Sequence, residues 1–131
     1  MKQKSKVTAD LKKNRLQIEL RGWLSKKDIQ DIYTEVRFCV ADLKPGFVAI
    51  TDFSDCRIGY LAGLSTFIKM REYLQDKGIG AGIRIASKNQ LIFYQLSKIV
   101  CKKCTYPVIY AKSQGEAEKI LAEKENSDCP L

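Results

Sequence analysis

Four consecutive apolar residues, Phe47-Val48-Ala49-Ile50, stand between Pro45-Gly46 and the polar pair Thr51-Asp52. The run is too short for a helix. Because it does not alternate, both faces of the strand it forms must be covered, which is the condition of a central strand in a parallel sheet. Segments on either side meet that requirement. Upstream, Ile29, Ile32, Tyr33, Val36, Val40 and Leu43 recur at three- and four-residue spacings as one apolar stripe, and Lys44-Pro45-Gly46 stops the helix. Downstream, Leu61, Leu64, Phe67, Ile68, Arg71 and Leu74 repeat the pattern from about Tyr60 to Lys77, and Gly78 supplies a left-handed C-terminal cap.

The flanks extend the alternation of strand and helix. Leu16, Ile18 and Leu20 alternate with Gln17, Glu19 and Arg21, so Arg15 to Gly22 reads as a strand, joined through the polar turn Lys12-Lys13-Asn14 to a first strand at Lys6 to Asp10. Ser25, with Asp28 three residues on, opens the first helix as a capping box does. Beyond Gly78, Ala81 to Ala86 is a strand. Ser87 or Asn89 caps a third helix running to about Cys101, with Ile92, Leu96, Ile99 and Val100 on its stripe. Pro107 to Ala111 is a last strand, and Ser113 with Glu116 opens a final helix carrying Ala117, Ile120 and Leu121. The predicted fold is a single α/β domain: a mostly parallel mixed sheet of about five strands with four helices, its antiparallel edge supplied by the N-terminal hairpin. Residues 5–125 form the core and 126–131 a flexible tail; the end from Glu125 onward reads as frayed.

Composition then removes whole classes of chemistry. There is no histidine, which takes away the commonest metal ligand, the usual general base near neutral pH and every Ser-His or Cys-His pairing. No enzyme, cofactor or metal is expected. Cys39, Cys56, Cys101, Cys104 and Cys129 are odd in number and mostly lie inside apolar segments, pointing to buried thiols in a reducing compartment. No stretch approaches the roughly 20 apolar residues that span a bilayer, and Met1 to Lys6 is too polar to start a secretory signal, so a cytoplasmic protein is predicted.

Asn14-Arg15-Leu16, Leu20-Arg21-Gly22, Leu43-Lys44-Pro45-Gly46-Phe47 and Thr51-Asp52 occur in this order along the predicted elements. As a collinear set they resemble the STAS-like or SpoIIAA-like domains, related in fold to anti-sigma-factor antagonists, and in particular their stand-alone members. The resemblance spans residues 5–125 and implies a regulatory, non-enzymatic interaction domain. Regulatory members carry an Asp-Ser-Ser-Gly type motif, phosphorylated by a partner kinase, at the start of the helix after the central strand. Here the matching stretch is Tyr60-Leu61-Ala62-Gly63, which keeps the glycine and lacks the serines and the aspartate, so the phospho-switch is not carried over.

Asp52, Ser54, Asp55, Arg57 and Tyr60 lie past the carboxyl end of the predicted central strand, where open α/β sheets place ligands and partners. Two readings stay open. In one this loop is an interaction edge for another protein or a second copy of the chain. In the other Asp55 or Ser54 only caps a turn and Arg57 pairs with Asp55. Cys101-Lys102-Lys103-Cys104 has the spacing of a zinc or redox half-site, with lysines placed to lower a thiol pKa, but no second half-site accompanies it. Basic residues crowd the start: Lys2, Lys4, Lys6, Lys12, Lys13, Arg15, Arg21, Lys26 and Lys27 are offset only by Asp10 and Glu19. Without paired stacking aromatics this argues weakly for nucleic acid and more for a solvated face. Some structural relatives of STAS domains enclose an apolar ligand between helices and sheet, so a lipid or small-ligand carrier is the alternative function. Leu91, Phe93 and Tyr94 of the third helix would supply its surface.

Overall fold

In the computed structural model, which describes residues 5–58, 63–86 and 91–127, Asn14 sets the geometry of the first turn. Its φ of 53° places it in the left-handed region, which asparagine tolerates better than most residues. Its side chain then ties two turns together: Nδ2 donates to the Lys44 carbonyl at 3.0 Å and Oδ1 accepts from the Lys44 amide at 2.8 Å. The hairpin turn is thus clamped to the turn that launches the central strand, and the Val48 amide donates to the Asn14 carbonyl at 3.2 Å. Register in the sheet starts from this clamp.

The strands are β1 (Lys6–Asp10), β2 (Arg15–Leu24), β3 (Val48–Ile58), β4 (Ala81–Ile85) and β5 (Val108–Ala111). The helices are α1 (Lys26–Val40), α2 (Leu64–Asp76), α3 (Leu91–Val100) and α4 (Gln114–Ser127), with a 3-10 turn at Cys101–Lys103. Spatial order equals chain order, β1-β2-β3-β4-β5. β1 is antiparallel to β2 and every later pair is parallel. The expected mixed sheet with its antiparallel edge is the one observed. Because the chain advances one way across the sheet, right-handed crossovers put α1, α2 and α3 on one face.

Burial follows that arrangement. On the front face Leu16, Ile18 and Leu20 of β2 and Ala49 and Phe53 of β3 pack with Ile29, Val36, Met70, Leu74 and Leu96 of the three helices. On the back, Ile50, Ile83, Ile85 and Ala111 meet Ala117 and Leu121 of α4. The apolar run in β3 is therefore sandwiched, as its lack of alternation required. From β2, polar contacts tie α4 down: Arg15 Nη1 donates to Glu118 Oε2 at 2.7 Å, and Gln17 Nε2 donates to Gln114 Oε1 at 2.9 Å.

Capping chemistry agrees with the sequence in two helices. The Asp28 amide donates to Ser25 Oγ at 3.1 Å while the Ser25 amide donates to Asp28 Oδ2 at 2.8 Å, a reciprocal box. Ser113 Oγ accepts from the Glu116 amide at 3.1 Å, though the Glu116 carboxylate reaches the Lys112 amide instead of that of Ser113. Other boundaries moved. β2 runs on to Leu24 instead of ending at Gly22, and α2 starts at Leu64, with Gly63 at its N-cap in a non-helical conformation. Helix α4 continues through Ser127, so Glu125 to Ser127 are helical where fraying and a tail were expected. The two proposed caps of α3, Ser87 and Asn89, lie outside the described residues.

Candidate functional site

The largest departure from the sequence reading is at the candidate site itself. The loop expected from Asp52 to Tyr60 is strand as far as it is described: β3 continues to Ile58, paired with β2 as far as Leu24. Pairing with β4 stops at Asp52 opposite Ile85, so among the described residues β3 beyond that point is paired with β2 alone, as a two-stranded arm. The irregularity that hid the strand is a bulge. Glu19 faces Asp52, but Arg21 faces Asp55, so β3 carries one extra residue there. That residue breaks the two-residue alternation, and Phe53 and Cys56, three apart, both reach the core.

Asp52 secures the bulge. Its Oδ1 accepts from the Ser54 amide at 2.9 Å and from the Ser54 hydroxyl at 2.5 Å. Ser54 is thereby a donor to Asp52 rather than a turn cap. Past the bulge, register places Asp55 opposite Arg21 and Arg57 opposite Trp23, on the side of the arm away from Phe53 and Cys56. Asp55 and Arg57 are both exposed, and among the described residues no ion pair joins them. Tyr60 lies outside the described residues. The structure thus brings Asp52, Ser54, Asp55 and Arg57 into one strand segment.

Trp23 is the site residue that sequence reasoning passed over. It is the chain's single tryptophan and is 68% exposed. Ending β2 at Gly22 hid it. The available signal was its place two residues beyond Arg21, on the polar phase of an alternating strand.

A cavity of about 60 Å³ opens elsewhere, between the front of the sheet and α1 to α3. Its walls are mostly apolar, with Phe53, Met70 and Leu96 among them, yet Arg71 and Arg84 also line it. Arg84, in the middle of β4, donates to the hydroxyl of Ser97, which also bonds the Tyr110 hydroxyl at 2.6 Å. Arg71 is 7% exposed and donates through Nη1 to the Val100 carbonyl at 2.5 Å. Its position on the apolar stripe of α2 was legible in the sequence, and its burial is the corollary.

Burial governs the first thiol of the Cys101-Lys102-Lys103-Cys104 segment. Cys101 opens the 3-10 turn after α3 and Cys104 follows it, and burial pushes the Cys101 thiol up to about 11. The cation that opposes the rise is Arg84, not the neighbouring lysines. Burial likewise raises Tyr106 above the usual phenol range. Among the described residues no cluster of three His, Cys, Asp or Glu side chains could hold a metal ion. Cys129 lies outside the described residues, as do the side chains of Leu91, Phe93 and Tyr94 proposed as a ligand wall.

A crystal structure of an uncharacterised DUF3478-family protein from Shewanella loihica PV-4 superposes with a TM-score of 0.67 over 89% of this chain and 91% of that one, at 13% identity. That protein has a SpoIIAA-like fold. So has this chain. The SpoIIAA-like fold is also met in the crystal structure of the diguanylate cyclase SiaD in complex with its activator SiaC from Pseudomonas aeruginosa, where the match is to SiaC. There the TM-score is 0.53 and identity 13%, over 84% of this chain and 93% of that one. No family model and no curated protein matches the chain by sequence. Within the SpoIIAA-like fold, no described helix is long and apolar enough to cross a membrane.

Proposed function

We propose that this chain is a non-enzymatic regulatory domain that binds a protein partner through the exposed face of the β2–β3 arm. One observation carries the reading: Trp23 lies exposed in the ladder opposite Arg57, next to the Arg21 and Asp55 pair. Tryptophan and arginine are the residue types that dominate binding energy at protein interfaces, and rigid strands present them at low entropic cost. Asp52 and Ser54 serve this surface by fixing the bulge that re-aims it. A protein of the same fold, SiaC, is an activator found in complex with its cyclase, which supports a protein as the partner class.

The domain works without a serine switch at the start of α2, because Tyr60-Leu61-Ala62-Gly63 offers no hydroxyl in the serine positions. Nucleic acid is disfavoured by how the basic side chains are used. Arg15 is paired to Glu118 and Arg21 to Glu19, and Arg37 stacks 4.5 Å from the Tyr33 ring centre, so these cations form no continuous stripe.

A photo-crosslinking residue placed at Asp55 or Arg57, with Glu123 of α4 as the control position, tests the surface in the native host. The expected result is one discrete adduct, with another protein or a second copy, from positions 55 and 57 alone. Trp23→Ala should weaken that partner by roughly 30-fold, the scale of a 2 kcal/mol hot spot. Adducts formed equally from position 123, or indifferent to Trp23→Ala, would overturn the assignment.

A further inference from the structure

Taking a guanidinium out of water costs several kcal/mol unless its donors are matched and its charge is offset. The cavity in front of the sheet contains two such groups, and no Asp or Glu lines it among the described residues. Arg84 is offset by the Ser97 hydroxyl and by the Ser97 carbonyl at 3.4 Å. Arg71 has the Val100 carbonyl, near the C-terminal end of α3, where the helix dipole is negative. Ser97 and Val100 are three residues apart on one helix face, so the two guanidinium groups are anchored about one turn from each other.

Arg71 is incompletely matched. Glu72 Oε1 lies 3.7 Å from its Nη2, but that carboxylate side chain is 62% exposed and its pull is screened by water. The buried Nε has no hydrogen-bond partner among the described residues. With Nη1 committed to Val100, the edge left open is the Nε and Nη2 side, whose two parallel N–H groups a carboxylate accepts together.

We infer that this cavity binds a short-chain monocarboxylate, its two oxygens on Arg71 with Arg84 adding the second positive charge, and its aliphatic part against Phe53, Met70 and Leu96. Size and lining decide the class. At about 10–15 Å³ per water-sized occupant, the cavity admits roughly four to six non-hydrogen atoms, which suits butyrate and excludes a long acyl chain. Inorganic phosphate would match the charge but leave the apolar wall uncovered. The site faces the three helices, whereas Trp23 and Arg57 lie on the other side of the arm, so ligand and partner surfaces are separable.

The test is a thermal-shift and calorimetric titration of the full chain with sodium butyrate at constant ionic strength, alongside 1-butanol and sodium phosphate. Saturable stabilisation by butyrate, absent with butanol and phosphate and at least tenfold weaker in Arg71→Met, supports the site. Should Arg71→Met not fold, Arg71→Lys keeps the buried charge without the two-pronged donor edge, and the same tenfold loss is read there. Trp23→Ala should bind butyrate as the unmodified chain does. The inference is overturned by no saturable response, by phosphate matching butyrate, or by Arg71 variants that bind as tightly as the parent.

Discussion

Replacing Gly80 by alanine should be the most damaging single-methyl change available in the loops that carry β3 and β4. A Cβ at this position would stand 2.7 Å from the Gly46 carbonyl oxygen and 3.1 Å from its carbon, both backbone atoms that cannot rotate away. Ordinary contact begins near 3.4 Å, so the two chain segments must part by about 0.7 Å. They are clamped where they would open: the Gly46 amide donates to the Gly78 carbonyl at 2.7 Å and the Gly80 amide to the Phe47 carbonyl at 2.8 Å. Weakening two backbone bonds of about 1 kcal/mol each, with overpacking strain of similar size, gives a loss of about 2–4 kcal/mol. For a domain of this length that lowers Tm by roughly 7–14 °C. Urea unfolding should show a lower midpoint with an unchanged slope. Gly115→Ala is the matched control. It lies in the first turn of α4, where the new methyl meets only Ser113 Oγ at 3.8 Å, and it should stabilise by about 0.5 kcal/mol. A Gly80→Ala protein within 1 kcal/mol of the parent would refute the close-approach reasoning.

Two further outcomes follow from the ionisable groups. Burial, then the negative charges of Asp52 and Asp55, push Cys56 up to about 12 from an ordinary 9.0. The folded state therefore favours the neutral thiol: this contribution is complete below pH 9.0 and is lost as pH rises toward the folded value. The urea midpoint should fall between pH 8 and pH 10.5, less so in Cys56→Ala; an equal fall in both proteins would remove Cys56 as a cause. The Arg15 hydrogen bond holds Glu118 below the usual carboxylate range. Its stabilisation is present above the unfolded carboxylate pKa and disappears as acid titrates the folded group, so Glu118→Gln should cost under about 1 kcal/mol near neutrality and nothing in strong acid. A cost that persists in strong acid would assign the effect to packing of α4 instead.

Much of the architecture was legible because it rests on local periodicity. The four apolar residues of β3 implied cover on both faces, and the stripes of α1 and α2, with Ser25, Asp28 and Gly78 at their ends, supplied it. The candidate site was legible only in part. Asp52, Ser54, Asp55 and Arg57 were singled out as polar residues past an apolar run, yet their being a strand depends on β2 continuing through Trp23 and Leu24 to pair with them. A bulge shifts alternation by one residue, and the residue pattern alone then reads as a loop.

What the sequence determined by itself was therefore the kind and order of elements and the exclusion of histidine chemistry, since these are properties of neighbours along the chain. Which side chains share a surface belonged to the tertiary structure. Arg71 and Arg84 are thirteen positions apart, on a helix and a strand, and nothing between them marks them as partners. They line one cavity because right-handed crossovers fold α2 and α3 over β4, and α3 then offers Ser97 and Val100 to the two cations from one face. Trp23 meets Arg57 for a similar reason: parallel pairing joins residues thirty-four positions apart, and only the ladder's register says which.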